Sequence, residues 1–262
     1  MKGIQALIDV MARLRDPNGG CPWDLEQTFQ SIAPYTIEEA YEVADALDRG
    51  DMADFKEELG DLLLQVVFQS QIAREQGLFD IDAVAKGEAD KLISRHPHVF
   101  GDQSAADAVE VMTIWNARKD AEKKARGDTH LLDAVTKGLP ALMRAQKIHR
   151  KVAKVGFDWP SVDEVFAKLD EEIAELKQAD AKKDQDNLVE ELGDILFVAC
   201  VLAEHLGVDA EVALRNANNK FIRRFNGVED LMKLNSQEFG KATLAEMDSH
   251  WNAVKQAEKD AA

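Results

Sequence analysis

Little in this chain of 262 residues interrupts a helix. Prolines number only six and aromatic residues make up 6%, so long helices form at low cost. Cysteine is almost missing. Cys21 and Cys200 are too few for a disulfide framework, and no Cys/His spacing of a zinc site is present. Long apolar runs are missing too. The longest, Ile195–Ala203, has nine residues, which is too short to cross a bilayer and suits a buried helix. The stretch Met1 to Asp16 is broken by Asp9, Arg13 and Arg15 and does not read as a secretory signal. A reducing cytoplasm, with no membrane partner, is the expected setting. Positive charge is in deficit: 49 acidic residues against 32 basic ones give a net charge of −17. A non-specific nucleic-acid binder needs a basic face, so that reading starts at a disadvantage and no nucleic-acid partner is expected. No glycine-rich lysine loop is present, which disfavours a P-loop nucleotidase. An acidic chain that takes an anionic substrate needs metal ions and a few well-placed Lys or Arg residues.

What the chain does contain, it contains twice. Gly3-Ile4-Gln5-Ala6-Leu7 resembles Gly138-Leu139-Pro140-Ala141-Leu142. Glu38-Glu39-Ala40-Tyr41-Glu42 resembles Glu171-Glu172-Ile173-Ala174-Glu175, and Glu57-Glu58-Leu59-Gly60-Asp61 recurs as Glu190-Glu191-Leu192-Gly193-Asp194. Lys91 and Arg95 match Lys220 and Arg224, and Trp115-Asn116-Ala117 with Lys119 matches Trp251-Asn252-Ala253 with Lys255. The offsets are 135, 133, 133, 129 and 136. Five matches in order indicate a tandem duplication. The expected boundary lies in the Gly/Asp/Thr/Pro-rich stretch Gly127 to Gly138, giving halves 1–127 and 128–262.

Each half reads as helical. Ile4, Leu7, Ile8, Met11 and Leu14 follow the 3.6-residue period. Pro34-Tyr35-Thr36 precedes a helix predicted over Ile37 to Leu47, Gly50-Asp51 breaks it, and Met52 to Gln76 forms the next, ending at Gly77. In the second half Ser161 and Glu164 have the spacing of a capping box. A helix is predicted from Val162 to Ala179 and another from Asp186 to His205, stopping at Gly207. No period-two alternation predicts a strand. The fold class is therefore all-α, with each half a small antiparallel helical bundle.

Carboxylates carry the chemistry. Glu172 and Glu175 are three residues apart, as are Glu191 and Asp194, so each pair shares a helix face. A short turn around Asp180 to Asp184 makes the two helices antiparallel neighbours whose pairs can converge. Four such acids repel unless neutralised. Hard divalent cations, which take oxygen ligands, suit them. No His lies in either motif, which argues against a di-iron bundle. Glu39, Glu42, Glu58 and Asp61 repeat the set in the first half. Asp61 and Asp194 lead directly into the apolar runs Leu62-Leu63-Leu64 and Ile195-Leu196-Phe197-Val198, where an acid is costly without a partner. Gly60 and Gly193 are predicted to lie within helices, at a cost of about 1 kcal/mol each against Ala. The expected reason is close helix approach beside the carboxylates.

Cationic and aromatic groups accompany them. Lys220 and Arg224 share a helical face suited to phosphate oxygens. Trp251, four residues before Lys255, fits either a nucleobase stack or a packing anchor. Lys168 lies one turn before Glu172, and its first-half counterpart is Tyr35.

These residues together resemble the MazG family of bacterial nucleoside triphosphate pyrophosphohydrolases. The resemblance runs nearly the full length. Its marks are Gly20-Cys21-Pro22-Trp23-Asp24, both carboxylate sets and Gly156-Phe157-Asp158-Trp159. It implies an all-α fold related to dimeric dUTPases and assembled as a homodimer. The implied activity is hydrolysis of canonical and aberrant NTPs and dNTPs, ATP included, to NMP and pyrophosphate, a nucleotide-pool housekeeping reaction. It further implies that activity resides in the C-terminal half. Glu172, Glu175, Glu191 and Asp194 then become ligands of Mg2+, with Mn2+ as a substitute. Lys168, Glu171, Glu172, Asn187, Glu190, Asp194, Lys220, Arg223, Arg224, Trp251 and Lys255 surround the nucleotide. Glu171 or Glu190, flanking the ligands, positions or deprotonates the attacking water. The first half keeps four carboxylates but has Tyr35 in place of Lys168, which speaks against hydrolysis there. Two rival readings are a narrower pyrophosphatase for dUTP or phosphoribosyl-ATP, and a non-catalytic helical adaptor that senses nucleotides.

Overall fold

A computed structural model describes residues 2–125 and 130–260. The chain divides into two compact units, Met1–Glu122 and Lys123–Ala262. The boundary expected between residues 127 and 128 falls outside the described residues. Among the described residues there is no strand, so the fold is all-α. No described helix is long and apolar enough to cross a membrane.

The first unit contains α1 (Lys2–Leu14), α2 (Pro22–Glu26), α3 (Phe29–Arg49), α4 (Met52–Glu75), α5 (Ile81–Arg95), α6 (Pro97–Phe100) and all but the last three residues of α7 (Ala108–Ala125). Helices α3 and α4 form its central hairpin. Gly50 turns the chain in the left-handed region (φ 70°), where the lack of a Cβ removes the steric cost. Asp51 then caps α4 by accepting the Ala53 and Asp54 N–H groups. Met11 of α1, Ile32 of α3 and Val67, Phe68 and Ile72 of α4 form the core, with Leu14 and Leu64 packed against it.

The second unit contains α8 (Ala141–Ala153), α9 (Val162–Lys182), α10 (Gln185–His205), α11 (Ala210–Leu234) and α12 (Leu244–Asp260). Lys183, itself left-handed at φ 54°, and the N-cap Asp184 are all that join α9 to α10. So short a connection makes the helices antiparallel neighbours. Val165, Val198 and Val201 form their shared core, flanked by Trp159, Leu169, Phe197 and Leu202.

Three local expectations change. Helix α3 begins at Phe29, eight residues before the predicted Ile37, and Pro34 lies inside it. The cause is a reciprocal capping box between Thr28 and Ser31, which nucleates the helix ahead of the proline. Helix α9 runs three residues beyond Ala179. At its start Ser161 accepts the Glu164 N–H at 3.4 Å, the forward half of the expected box. Gly60 and Gly193 are not points of close helix approach within their units. A Cβ at either position meets nothing within 4 Å beyond the helix's own backbone.

Candidate functional site

In the second unit, α9 and α10 bring ligand oxygens of Glu172, Glu175 and Glu191 within 4.8 Å of one another. The i, i+3 spacing puts Glu172 and Glu175 on one face of α9, and the hairpin aims α10 at that face. Glu172 is buried. Asp194 lies outside the tight triple, yet its charge reaches Glu191. Desolvation, then the charges of Glu175, Glu172, Asp194 and Glu190, push the Glu191 carboxyl above its ordinary value. Lys168 bridges one edge of the cluster, 2.7 Å from Glu172 and 2.8 Å from Glu171. Those two hydrogen bonds, to Glu171 and then Glu172, hold the Lys168 ammonium above the usual lysine range. One cation against this many carboxylates leaves an all-oxygen pocket with surplus negative charge. The donor set fits a hard divalent cation.

The first unit repeats the geometry with different neighbours. Ligand oxygens of Glu39, Glu58 and Asp61 converge within 4.8 Å. Glu42 lies outside that triple and hydrogen-bonds Glu39. Desolvation followed by the charges of Asp61 and Glu42 raises Glu39. Desolvation and Glu42 raise Glu58 in the same way. The polar partner here is an amide: Gln65 Nε2 donates to Glu39 at 3.3 Å, while Gln65 Oε1 is buried without a partner.

The basic and aromatic residues gather on α11 and α12. Arg224 donates to Glu258 at 2.8 Å and Arg223 to the same carboxylate at 2.9 Å. The Arg224 guanidinium lies 5.9 Å from the Trp251 ring centre, and Trp251 meets Phe221 at 5.1 Å. Trp251 thus has packing partners in its own unit, and Lys220 and Lys255 lie on the same helix pair. Asn187 sits in the first turn of α10, its N–H on the Asp184 cap at 3.3 Å. The first unit again matches: Arg95 donates to Glu122 at 3.1 Å and lies 5.0 Å from the Trp115 ring centre. The anchoring acids Glu122 and Glu258 were not singled out from the sequence. They were legible there, since they repeat at the 136-residue offset of the two tryptophans.

Two family models match the chain, one in each half. The MazG nucleotide pyrophosphohydrolase domain matches residues 27–100, and phosphoribosyl-ATP pyrophosphohydrolase matches residues 142–221. Each range includes the four carboxylates of its half. The nucleoside triphosphate pyrophosphohydrolase of Escherichia coli K12 is 48% identical over 264 residues, covering 99% of this chain and 100% of that protein. The chain belongs to the MazG family of nucleoside triphosphate pyrophosphohydrolases. The Thermotoga maritima nucleoside triphosphate pyrophosphohydrolase/pyrophosphatase MazG is 40% identical over 252 residues, 96% of this chain and 95% of that one. The uncharacterized protein YabN of Bacillus subtilis is 43% identical over 251 residues, which is 95% of this chain but 51% of YabN.

Within this MazG-family chain the two hairpins differ beneath their carboxylates. At the 133-residue offset, Leu169 and Leu202 of the second unit, which flank its core, replace Thr36 and Gln69, which hydrogen-bond at 2.8 Å. Val198 replaces Gln65, and Lys168 replaces Tyr35. Tyr35 is 41% exposed and meets Trp23 edge-on at 6.5 Å. The second unit therefore places an ammonium beside its carboxylates. At that position the first unit offers an uncharged phenol.

Proposed function

We propose that this protein hydrolyses nucleoside triphosphates between the α and β phosphates, giving NMP and pyrophosphate, with Mg2+ held by Glu172, Glu175, Glu191 and Asp194. The observation that carries the reading is the convergence of α9 and α10 carboxylates beside the Lys168 ammonium. Full-length similarity to two proteins named for this activity supports it. Bound there, a divalent cation supplies Lewis acidity and neutralises phosphate charge, and Mn2+ is expected to substitute. The chain's own groups supply the rest. Glu171 and Glu190 flank the ligand set, where one carboxylate orients the attacking water and accepts its proton. Lys168, Lys220 and Arg224 bind the triphosphate and offset the charge that builds on the leaving pyrophosphate. Arg223, Asn187 and Lys255 border the nucleotide, and Trp251 stacks on the base.

The assembly is a homodimer on this reading. Leu59 beside Gly60, and Leu192 and Leu196 beside Gly193, are 44%, 51% and 51% exposed. A second copy covering these faces also accounts for the open space at both glycines. Light scattering that gives the mass of a single chain overturns this. Cys21 and Cys200 are unpaired, which suits a reducing cytoplasm.

Product analysis tests the activity. Purified protein is incubated with NTPs, dNTPs and phosphoribosyl-ATP, with Mg2+ or with EDTA, and NMP, NDP, pyrophosphate and phosphate are resolved. Metal-dependent NMP and pyrophosphate from NTPs is the expected result. The match of residues 142–221 to phosphoribosyl-ATP pyrophosphohydrolase supplies a second reading, and turnover of that substrate alone selects it. NDP and phosphate rule out attack at the α-phosphorus. Tight binding without turnover identifies a nucleotide sensor.

A further inference from the structure

A second group of metal-ligating side chains lies at the other end of α10. His149 on α8 is 2% exposed. Asp158 lies in the α8–α9 loop, and His205 is the last residue of α10. The two imidazole Nε2 atoms lie 2.8 and 2.9 Å from Asp158 Oδ1, and the Trp159 N–H donates to the same oxygen at 2.8 Å. The three ligand atoms of His149, Asp158 and His205 all fall within 4.8 Å of one another. His149 Nδ1 is buried with no hydrogen-bond partner.

The duplication shows that the fold does not require these residues. The offsets of 135 and 133 set His149 and His205 against Leu14 and Ile72, and aligning Gly156 and Trp159 with Gly20 and Trp23, 136 residues earlier, sets Asp158 against Pro22. Ile72 belongs to the apolar core of the first unit and Leu14 packs against that core. That corner of the bundle closes with aliphatic side chains in one copy and with two imidazoles and a carboxylate in the other.

We propose that His149, Asp158 and His205 form a cation site for a transition ion of the zinc class, separate from the carboxylate cluster. Two nitrogens and one oxygen suit such an ion better than magnesium, which takes oxygen alone. Metal–ligand bonds of about 2.0–2.2 Å set tetrahedral ligand atoms roughly 3.3–3.5 Å apart. Only a small opening of the present contacts admits the ion. The side chain of Asp158 is 30% exposed. A cavity of about 400 Å³ lined by Phe157, Asp158, Trp159 and Glu164 gives the ion access and room for a completing water. His205 is eleven residues beyond Asp194, about 16 Å along the helix, so this ion does not touch the phosphates. It ties α8 and the loop leading into α9 to the end of α10. It therefore braces the two helices that carry the carboxylates.

Cobalt binding to the full chain tests the site. Metal-free protein in excess Mg2+, which occupies the carboxylates, is titrated with Co2+ and then with Zn2+. The expected result is one Co2+ per chain with the intense visible band of a four- or five-coordinate, nitrogen-ligated ion, displaced by Zn2+. The variant H205I, which copies the first unit, and the variant D158N should each lose the band while keeping wild-type circular dichroism and Mg2+-dependent turnover. Zn2+ should raise the melting temperature of the wild type by about 5 °C at saturating excess and leave that of D158N unchanged. No stoichiometric band, or a band that survives in both variants, overturns the proposal. So does a band that disappears instead from an E172Q/E191Q variant. If H205I fails to fold, D158N still decides.

Discussion

The Lys168 ammonium lies 2.7 Å from the Glu172 carboxylate, one turn away on the same face of α9. In the first unit the corresponding pair is Tyr35 and Glu39, and Glu39 takes an amide hydrogen bond from Gln65 instead. The second unit thus keeps a permanent positive charge at the rim of its acidic cluster. Replacing Lys168 with Gln or with Tyr should lower kcat/KM for ATP by about 10- to 100-fold, the range for a lost hydrogen bond to a charged group. The reciprocal change Y35K should leave kcat/KM of the whole chain unaltered, because the first unit retains its polar Gln65 and Gln69 contacts. Steady-state kinetics of the three variants check both statements.

The proposed division of labour between the units rests on the same contrast. Glu172→Ala should abolish Mg2+-dependent turnover, and Glu39→Ala should mostly spare it. Both proteins should remain helical by circular dichroism. Equal losses from the two substitutions would refute the assignment of activity to the second unit.

Arg224 is positioned by Glu258 and Trp251 rather than free in solution. Removing the carboxylate in Glu258→Ala releases Arg223 and Arg224 together. KM for nucleotide should rise by about three- to tenfold and kcat should fall as well, since the part-buried Arg224–Glu258 pair orients a group proposed to act on both the triphosphate and the leaving pyrophosphate. Helices α11 and α12 approach closely at Gly227, where a Cβ would lie 2.9 Å from Val254 Cγ2. Gly227→Ala should therefore cost about 1–3 kcal/mol of stability, read by denaturant titration, and should raise KM in the same direction as Glu258→Ala.

The carboxylate clusters should make stability depend on pH and on divalent ions together. Glu39, Glu58 and Glu191 all titrate above the ordinary glutamate value of 4.5 in the folded protein. A raised carboxyl stabilises the fold fully below 4.5 and loses that contribution as pH climbs through its folded value. Without divalent ions these groups should therefore weaken the protein as pH rises from 4.5 toward neutrality. A bound cation relieves the repulsion. The rise in melting temperature on adding Mg2+ should be larger at pH 7 than at pH 5, measured by calorimetry in matched buffers. It should shrink in Glu191→Gln. A Mg2+ effect that is independent of pH overturns this.

Much of the plan was legible in the residues. Helical periodicity and turn residues located α4 and α10 to within a residue at each end. The same rules place the start of α3 too late, because Thr28 and Ser31 cap it upstream of Pro34. The reading of Gly60 and Gly193 as helix contacts failed within each unit for a related reason. A glycine in a helix pattern states that a Cβ is dispensable there, and it does not say which surface passes by.

By itself, the sequence determined the duplication, the all-helical class and the pairing of Glu172 with Glu175 and of Glu191 with Asp194. All of these follow from spacing along one chain or one helix. Only the tertiary structure decided which three carboxylates close to within 4.8 Å, that Glu258 holds two arginines, and that His149, Asp158 and His205 meet. The last three are separated by 9 and 47 residues in the chain, with no spacing that marks a metal site. Periodicity fixes which side chains share the face of one helix. Which faces then meet depends on core packing between helices, where Val165, Val198 and Val201 set the contact of α9 and α10 in the second unit.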